Sequence, residues 1–87
     1  MKTQNDIKQI NSIEFKGINI RNEDEFFYEI LYKIKYEDSN GGNKDMKFSH
    51  YRYKKSLDME TLKNLGLLEL YNCFLDYINL EKVNIKL

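Results

Sequence analysis

The side chains best suited to catalysis or metal binding are scarce in this chain. It has one His, His50, and one Cys, Cys73, which lie far apart in the sequence. A nucleophilic thiol needs a base beside it, and a structural zinc ion needs four N or S ligands, so neither residue predicts a site by its spacing. We expect Cys73 to be a buried or half-buried thiol on a helix flank. His50 is expected to be a partly exposed strand residue, with a role at a binding surface as the functional alternative.

The carboxylates and glycines do not predict catalysis either. Glu23, Asp24, Glu25 and Glu29 lie close together with no base among them, which predicts a solvated acidic turn. The functional alternative is an acidic patch for a basic partner or, loosely, for a divalent cation. Gly41-Gly42 is not followed by the Lys-Ser/Thr of a phosphate-binding loop. We therefore predict a protein that is not an enzyme and that binds no cofactor.

Basic and aromatic residues alternate in the second half of the strand region. On a strand, cations for phosphates and rings for base stacking are typical of a module that binds single-stranded nucleic acid. The opposing interpretation turns the rings inward and leaves the cations on a solvated edge. The residues in question are Lys44, Lys47, Phe48, Tyr51, Arg52, Tyr53, Lys54 and Lys55.

The composition limits the class of protein. A chain of 87 residues and 10.5 kDa is enough for one domain. Acidic and basic residues number 14 each, which excludes a strongly acidic DNA mimic and a strongly basic nucleic-acid-binding tail. A hydrophobic fraction of 41% excludes intrinsic disorder. The lack of a long apolar run and of a signal pattern predicts a cytoplasmic protein without membrane contact.

The residue usage also indicates the kind of gene. Asn, Lys and Ile are abundant while Ala and Pro are absent, which predicts an AT-rich bacterial, phage or plasmid gene. The single Cys excludes an intramolecular disulfide and agrees with a reducing compartment.

Strands are predicted over most of residues 12–55. Residues 1–11 predict a flexible lead-in or one amphipathic turn of helix. Residues 12–20 predict a hairpin around a two-residue Lys16-Gly17 loop, with a single strand bulged at Gly17 as the alternative. The run from Phe26 to Tyr36 alternates with period two and predicts a long strand whose even-numbered residues face a core. Phe27 and Leu31 are apolar exceptions on its charged face.

A second arm of the central hairpin is expected to follow a loop at residues 38–45. We predict a bulge near Ser49-His50, which brings Tyr51 and Tyr53 onto the core face. The expected partners are Tyr36 with Met46, Ile34 with Phe48, Tyr32 with Tyr51 and Ile30 with Tyr53.

The C-terminal third predicts a helix and a short strand. Asp58 is the expected N-cap, with Leu57 and Leu62 as a hydrophobic staple, and the helical region extends over 58–80. A break or bend at Gly66 is favoured, with one long helix that tolerates Gly66 as the alternative. Residues 82–87 predict a short final strand. The expected fold is α+β, with one small antiparallel sheet of three to five strands packed on one C-terminal helix region in a single domain.

The function predicted from these observations is a non-enzymatic protein-binding module that inhibits or modulates a larger partner, such as a nucleic-acid-processing complex. Its seven Tyr and five Phe exceed what a core of this size needs, and Tyr is favoured at interfaces. In this character it resembles small phage-encoded inhibitors such as anti-CRISPR proteins, although no motif carries the likeness. Single-stranded nucleic-acid binding is the alternative, and a homodimer or a contact through a sheet edge is also expected. The predicted partner-binding residues are Phe27, Leu31, Lys33, Lys35, His50, Tyr51, Arg52, Tyr53, Lys54 and Lys55.

Overall fold

The computed structural model describes residues 6–20, 27–53 and 58–87 and, at Ile20, Phe27, Arg52 and Tyr53, the backbone alone. The elements in chain order are β1 (Ile7–Ile20), β2 (Phe27–Asp38), β3 (Asn43–Tyr53), α1 (Met59–Phe74), a short 3-10 helix (Leu75–Tyr77) and β4 (Asn84–Lys86). The strands form one sheet in the order β3-β2-β1-β4. The α+β architecture with one C-terminal helical region is confirmed.

The sheet is mixed, whereas the sequence predicted an antiparallel one. β1, β2 and β3 pair antiparallel, but β4 pairs parallel with β1. The reason is the connection through α1, which carries the chain back along the sheet so that β4 runs in the same direction as β3. The predicted final strand is confirmed, and its three residues pair with Ser12, Ile13 and Glu14.

The predicted hairpin at Lys16-Gly17 is wrong, because β1 is a single strand that also includes much of the predicted lead-in. The alternative holds: the pairing with β2 shifts between Phe15 and Gly17, and Gly17 has φ +136°. Two further shifts, next to Ile7 and next to Ile10, let these isoleucines and Ile13 all be buried although they are spaced by three. Bulges thus give a strand the spacing that elsewhere indicates a helix.

The predicted register between β2 and β3 is also wrong. Tyr32 lies opposite Phe48 and Ile30 opposite His50, with no bulge along the ladder. Tyr51 therefore lies on the face opposite to the core, with 46% of its surface exposed. Tyr53 lies opposite Phe27 by its backbone.

The short turn after β2 sets this register, and Asp38 holds it. The Asp38 carboxylate accepts hydrogen bonds from the backbone N–H of Asn40 (3.0 Å) and of Gly42 (2.7 Å). The Asp38 N–H donates to the Gly42 carbonyl at 2.8 Å, and Gly41 adopts φ +88°. The loop closed in this way is shorter than the eight-residue loop that the turn-forming composition of residues 38–45 indicated.

Helix α1 begins at the predicted N-cap, since Asp58 Oδ1 accepts a hydrogen bond from the Thr61 N–H at 2.8 Å. Leu57 of the expected staple lies outside the described residues. The predicted break at Gly66 is wrong, because the helix is continuous there, and it ends at Phe74 rather than near Leu80. Gly66 is buried against the Tyr32 ring, whose hydroxyl donates a hydrogen bond to the Lys63 carbonyl.

The core lies between α1 and one face of the sheet, which we call the inner face. Tyr32 is at its centre, in edge contact with Phe15 of β1 at 5.9 Å and tilted against Phe48 of β3 at 6.4 Å between ring centroids. Phe74 of α1 closes the group by packing on Phe48 at 6.0 Å. The fully buried side chains are Ile10, Ile13, Ile30, Tyr32, Ile34 and Leu70.

Candidate functional site

The face of the sheet that α1 does not cover is the candidate site, and we call it the outer face. Odd-numbered residues of β2 and β3 lie on it, because their even-numbered neighbours fill the core. A groove of about 740 Å³ crosses this face over β1, β2 and β3. Its side chains on the outer face are Lys16, Asn19, Glu29, Leu31, Lys33, Asp45 and Lys47.

Among the described side chains that line the groove from the outer face, Leu31 is the one apolar residue. It lies at the middle of β2, opposite Ser49 of β3 and Gly17 of β1. Both neighbours are small, so the Leu31 side chain is not covered from the adjacent strands, whereas the other outer-face side chains that line the groove are longer and polar or charged. A half-buried Leu with a polar rim is the usual anatomy of a small protein-binding surface.

The rim carries charges that mostly neutralise one another. Lys33 Nζ lies 3.3 Å from Asp45 Oδ2, and Lys16 Nζ lies 3.9 Å from Glu14 Oε2. Glu29 accepts a hydrogen bond from the Tyr51 hydroxyl at 3.3 Å. These exposed contacts contribute little to folding stability, so they leave the rim free to exchange partners on binding.

Several predicted site residues do meet on the outer face. Leu31, Lys33 and Tyr51 lie along the groove and its rim, and Lys35 lines a second hollow of about 390 Å³ nearer the β2–β3 turn. Phe27 is an odd-numbered residue of β2, like the residues on the outer face, but only its backbone is described.

Other predicted site residues are not brought to this surface. His50 is half-buried on the inner face, opposite Ile30, and not beside a bulge. The Arg52 backbone lies opposite Tyr28, about 17 Å along the ladder from the level of Lys33. The backbone of Arg52 therefore lies well away along the hairpin from Lys33 and Lys35, which were predicted to bind the same partner. Lys54 and Lys55 lie outside the described residues, as do Glu23, Asp24 and Glu25 of the acidic run.

Sequence reasoning missed the β3 side of the groove. Asp45 and Lys47 face outward in the predicted register as well, and Lys47 was considered only for the nucleic-acid alternative. The two-residue difference at this end of the hairpin changes their neighbours, so that Asp45 lies opposite Lys35 and Lys47 opposite Lys33. Asn19 was missed because β1 was interpreted as a hairpin arm, and beyond the shift at Gly17 it turns outward beside Glu29. The strict alternation of β2 was the signal that could have located these neighbours, once the length of the turn was known.

The aromatic residues of β3 divide between the two faces. Phe48 packs in the core, while Tyr51 lies outside with its hydroxyl on Glu29. The ring and cation pattern of the sequence therefore does not produce a row of stacked rings along the described part of β3.

Apolar side chains also project from the helical region. Leu68 is 55% exposed and Leu75 is 66% exposed, and Cys73 is exposed rather than buried or half-buried as predicted. Leu68 and Leu75 lie two turns apart with polar Asn72 between them, so they form no continuous patch.

The groups with shifted pKa values lie away from the groove's outer rim. Burial raises the pKa of Tyr32 to about 12. The Gly42 N–H, the Asn40 N–H and the Lys44 ammonium hold the pKa of Asp38 below its usual value. The shifts of Tyr32 and Asp38 follow from packing and from turn formation, respectively.

The described residues offer no other obvious chemistry. Within residues 6–20, 27–53 and 58–87, no group of three or more His, Cys, Asp or Glu is placed to hold a metal ion. In the same part of the chain, no helix is both long and apolar enough to span a membrane. No protein-family model, curated protein or solved structure matches the chain.

Proposed function

We propose that this protein is a non-enzymatic binding module that modulates a larger protein by docking on it through the outer face of the sheet. The observation that carries the proposal is the groove that Leu31 helps to line, on a sheet face that α1 leaves uncovered. An apolar side chain of the partner fits over Leu31, where the flanking Ser49 and Gly17 leave room. Burying that apolar contact supplies the affinity, and the rim supplies specificity.

The charges of the rim support a protein partner over a nucleic acid. A phosphate backbone needs several cations without counter-ions, because neutralising phosphates dominates nucleic-acid affinity. Here Lys33 and Lys16 already have carboxylate partners at 3.3 and 3.9 Å. A protein surface with both signs of charge can exchange with these pairs without a large electrostatic cost.

Single-stranded nucleic acid is the second candidate, supported by the exposed Tyr51 and by Lys47 on the same face of β3. Anisotropy of labelled single-stranded oligonucleotides at increasing salt separates it from the first. Tight binding that weakens steeply with salt would establish this function in place of the proposed one.

Affinity capture with matched variants tests the protein-binding proposal. The wild-type protein, Leu31→Arg and Leu68→Arg are used to capture proteins from cells that carry the gene. Both variants place the same charged side chain on an exposed or half-exposed Leu, one in the groove and one on α1. We expect a protein that is retained by the wild type and by Leu68→Arg but lost with Leu31→Arg. Loss with Leu68→Arg alone would move the docking surface to the helix.

A further inference from the structure

Strand β3 lies at the edge of the sheet, with one side of its backbone unpaired by any other described strand. It extends over 11 residues and pairs with β2 without a register shift. The chain contains no Pro, so neither a proline nor a bulge interrupts this edge. Such an edge is a template for a further strand unless its side chains oppose the pairing.

We infer that β3 pairs antiparallel with β3 of a second copy, about a twofold axis at Met46, to form one sheet continuous across the dimer. This inference rests on the edge of the sheet, whereas the proposed partner occupies its face, and Asp45 and Lys47 belong to both surfaces. Its basis is the charge pattern of β3 around Met46.

Asp45 and Lys47 flank Met46 on the outer face and have opposite charges. In an antiparallel pair centred on Met46, Asp45 of each copy lies directly opposite Lys47 of the other. Opposite charges in that position stabilise a strand pair, and like charges destabilise it. The twofold symmetry produces two such contacts at once.

The neighbouring registers lack this complementarity. A pair centred on Asp45 places Asp45 opposite Asp45 of the second copy. A pair centred on Lys47 likewise places Lys47 opposite Lys47. A pair centred on Phe48 sets Lys47 against Ser49 and leaves the charges uncompensated. Registers centred between residues would pair an outer-face side chain with an inner-face one, which the pleat of the sheet forbids.

Lys47 also lacks a counter-ion among the residues that the structure describes. It lies directly opposite Lys33 of β2, and Lys33 leans to Asp45 at 3.3 Å. In the dimer, Asp45 of the second copy supplies the carboxylate that Lys47 lacks. Charges on an edge strand usually oppose pairing with another chain, but these charges favour pairing with β3 of a second copy.

The inner face agrees with the same axis. Met46 is half-buried at the border of the core and meets its own copy across the axis. Methionine adapts its shape to such a contact and adds apolar burial to the main-chain hydrogen bonds. Seven residues of each strand, Asn43 to Ser49, then form the ladder.

Charge-reversal variants in combination test this arrangement by sedimentation equilibrium. Asp45→Lys and Lys47→Asp each turn both symmetric contacts into like-charge contacts, so each variant alone should weaken the dimer by about tenfold or more. An equimolar mixture of the two variants restores opposite charges at both contacts and should dimerise like the wild type. Lys82→Asp, an exposed Lys in the turn before β4, is the matched control and should dimerise normally.

Each other outcome overturns the inference. If the wild-type protein stays monomeric at every accessible concentration, β3 does not pair with a second copy, and its edge is available only to a strand of a different protein. A dimer that persists in both single variants would place the interface elsewhere. Weakened single variants whose mixture fails to associate would exclude the register centred on Met46, and melting curves of each variant establish that it is folded.

Discussion

The contact between Gly66 and Tyr32 leads to a prediction opposite to that of helix propensity. Alanine is favoured over glycine inside a helix by about 1 kcal/mol, so Gly66→Ala should stabilise α1 if the helix were free. A Cβ atom at Gly66 would instead lie 2.5 Å from Tyr32 Oη and 2.9 Å from Tyr32 Cε1. Real Cβ atoms do not approach so closely, so the helix or the ring must move.

The surroundings of Tyr32 make that movement costly. The ring is 1% exposed, is held by Phe15 and Phe48 on either side, and donates its hydroxyl to the Lys63 carbonyl. Overpacking of this kind costs about 1–3 kcal/mol, and a lost hydrogen bond costs about 0.5–1.5 kcal/mol. After the gain in propensity is subtracted, we expect Gly66→Ala to lower the free energy of unfolding by about 1–3 kcal/mol.

Chemical denaturation of a double-mutant cycle measures this effect. Tyr32→Phe removes the hydroxyl that makes the shortest contact, so Gly66→Ala should cost about 1 kcal/mol less in that background. Asn64→Ala, at an exposed position of α1, is the control and should raise stability by about 0.3 kcal/mol. The reasoning is refuted if Gly66→Ala stabilises the protein by about 1 kcal/mol, or if Tyr32→Phe leaves its cost unchanged.

Three further predictions concern the core and the dependence of stability on pH. Ile30→Ala and Phe74→Ala should each lower the free energy of unfolding by about 2–5 kcal/mol, because both side chains are buried between the sheet and α1; unchanged thermal melts would contradict this packing. The pKa of Tyr32 is raised in the folded state to about 12 from 10.0, so its contribution is complete below pH 10 and is lost as the pH rises toward 12. Tyr32→Phe should therefore show a shallower alkaline decline in denaturation experiments, and an identical slope would argue against this origin. The pKa of Asp38 is lowered, so its contribution is present above its unfolded value of 3.8 and is lost as the pH falls through the folded value. Asp38→Asn should accordingly flatten the acid limb of the stability profile, whereas an unchanged limb would exclude the turn as its source.

The alternation of β2 was enough to predict the central strand and its inward face. Ile30, Tyr32 and Ile34 are buried as expected, because alternate residues of a strand lie on the same face and the apolar face packs in the core. The same pattern placed Leu31 and Lys33 outward, and these residues became the β2 part of the candidate site.

The remaining errors came from features that composition does not encode. The turn after β2 is closed by the Asp38 side chain, and its length decides which residue of β3 lies opposite each residue of β2. The spacing of Ile7 and Ile10 is accommodated by register shifts that depend on pairing with β2. Gly66 was interpreted as a helix breaker because its reason for being Gly is a ring from a distant strand. The turn at Asp38 is a local hydrogen-bonded structure, whereas the register shifts of β1 and the Gly66 contact are tertiary contacts that override a local preference.

The most direct measurement of the central claim is an NMR map of the partner's footprint on the isotopically labelled protein. Once a partner has been captured, it is titrated into the protein, and the backbone and methyl signals are followed. The account predicts that the perturbed signals cluster at Leu31, Lys33 and Asn19 on the outer face, while Leu68 and Leu75 of the helical region stay unchanged. A footprint centred on Leu68 and Leu75, with the Leu31 methyl signals unmoved, would contradict it.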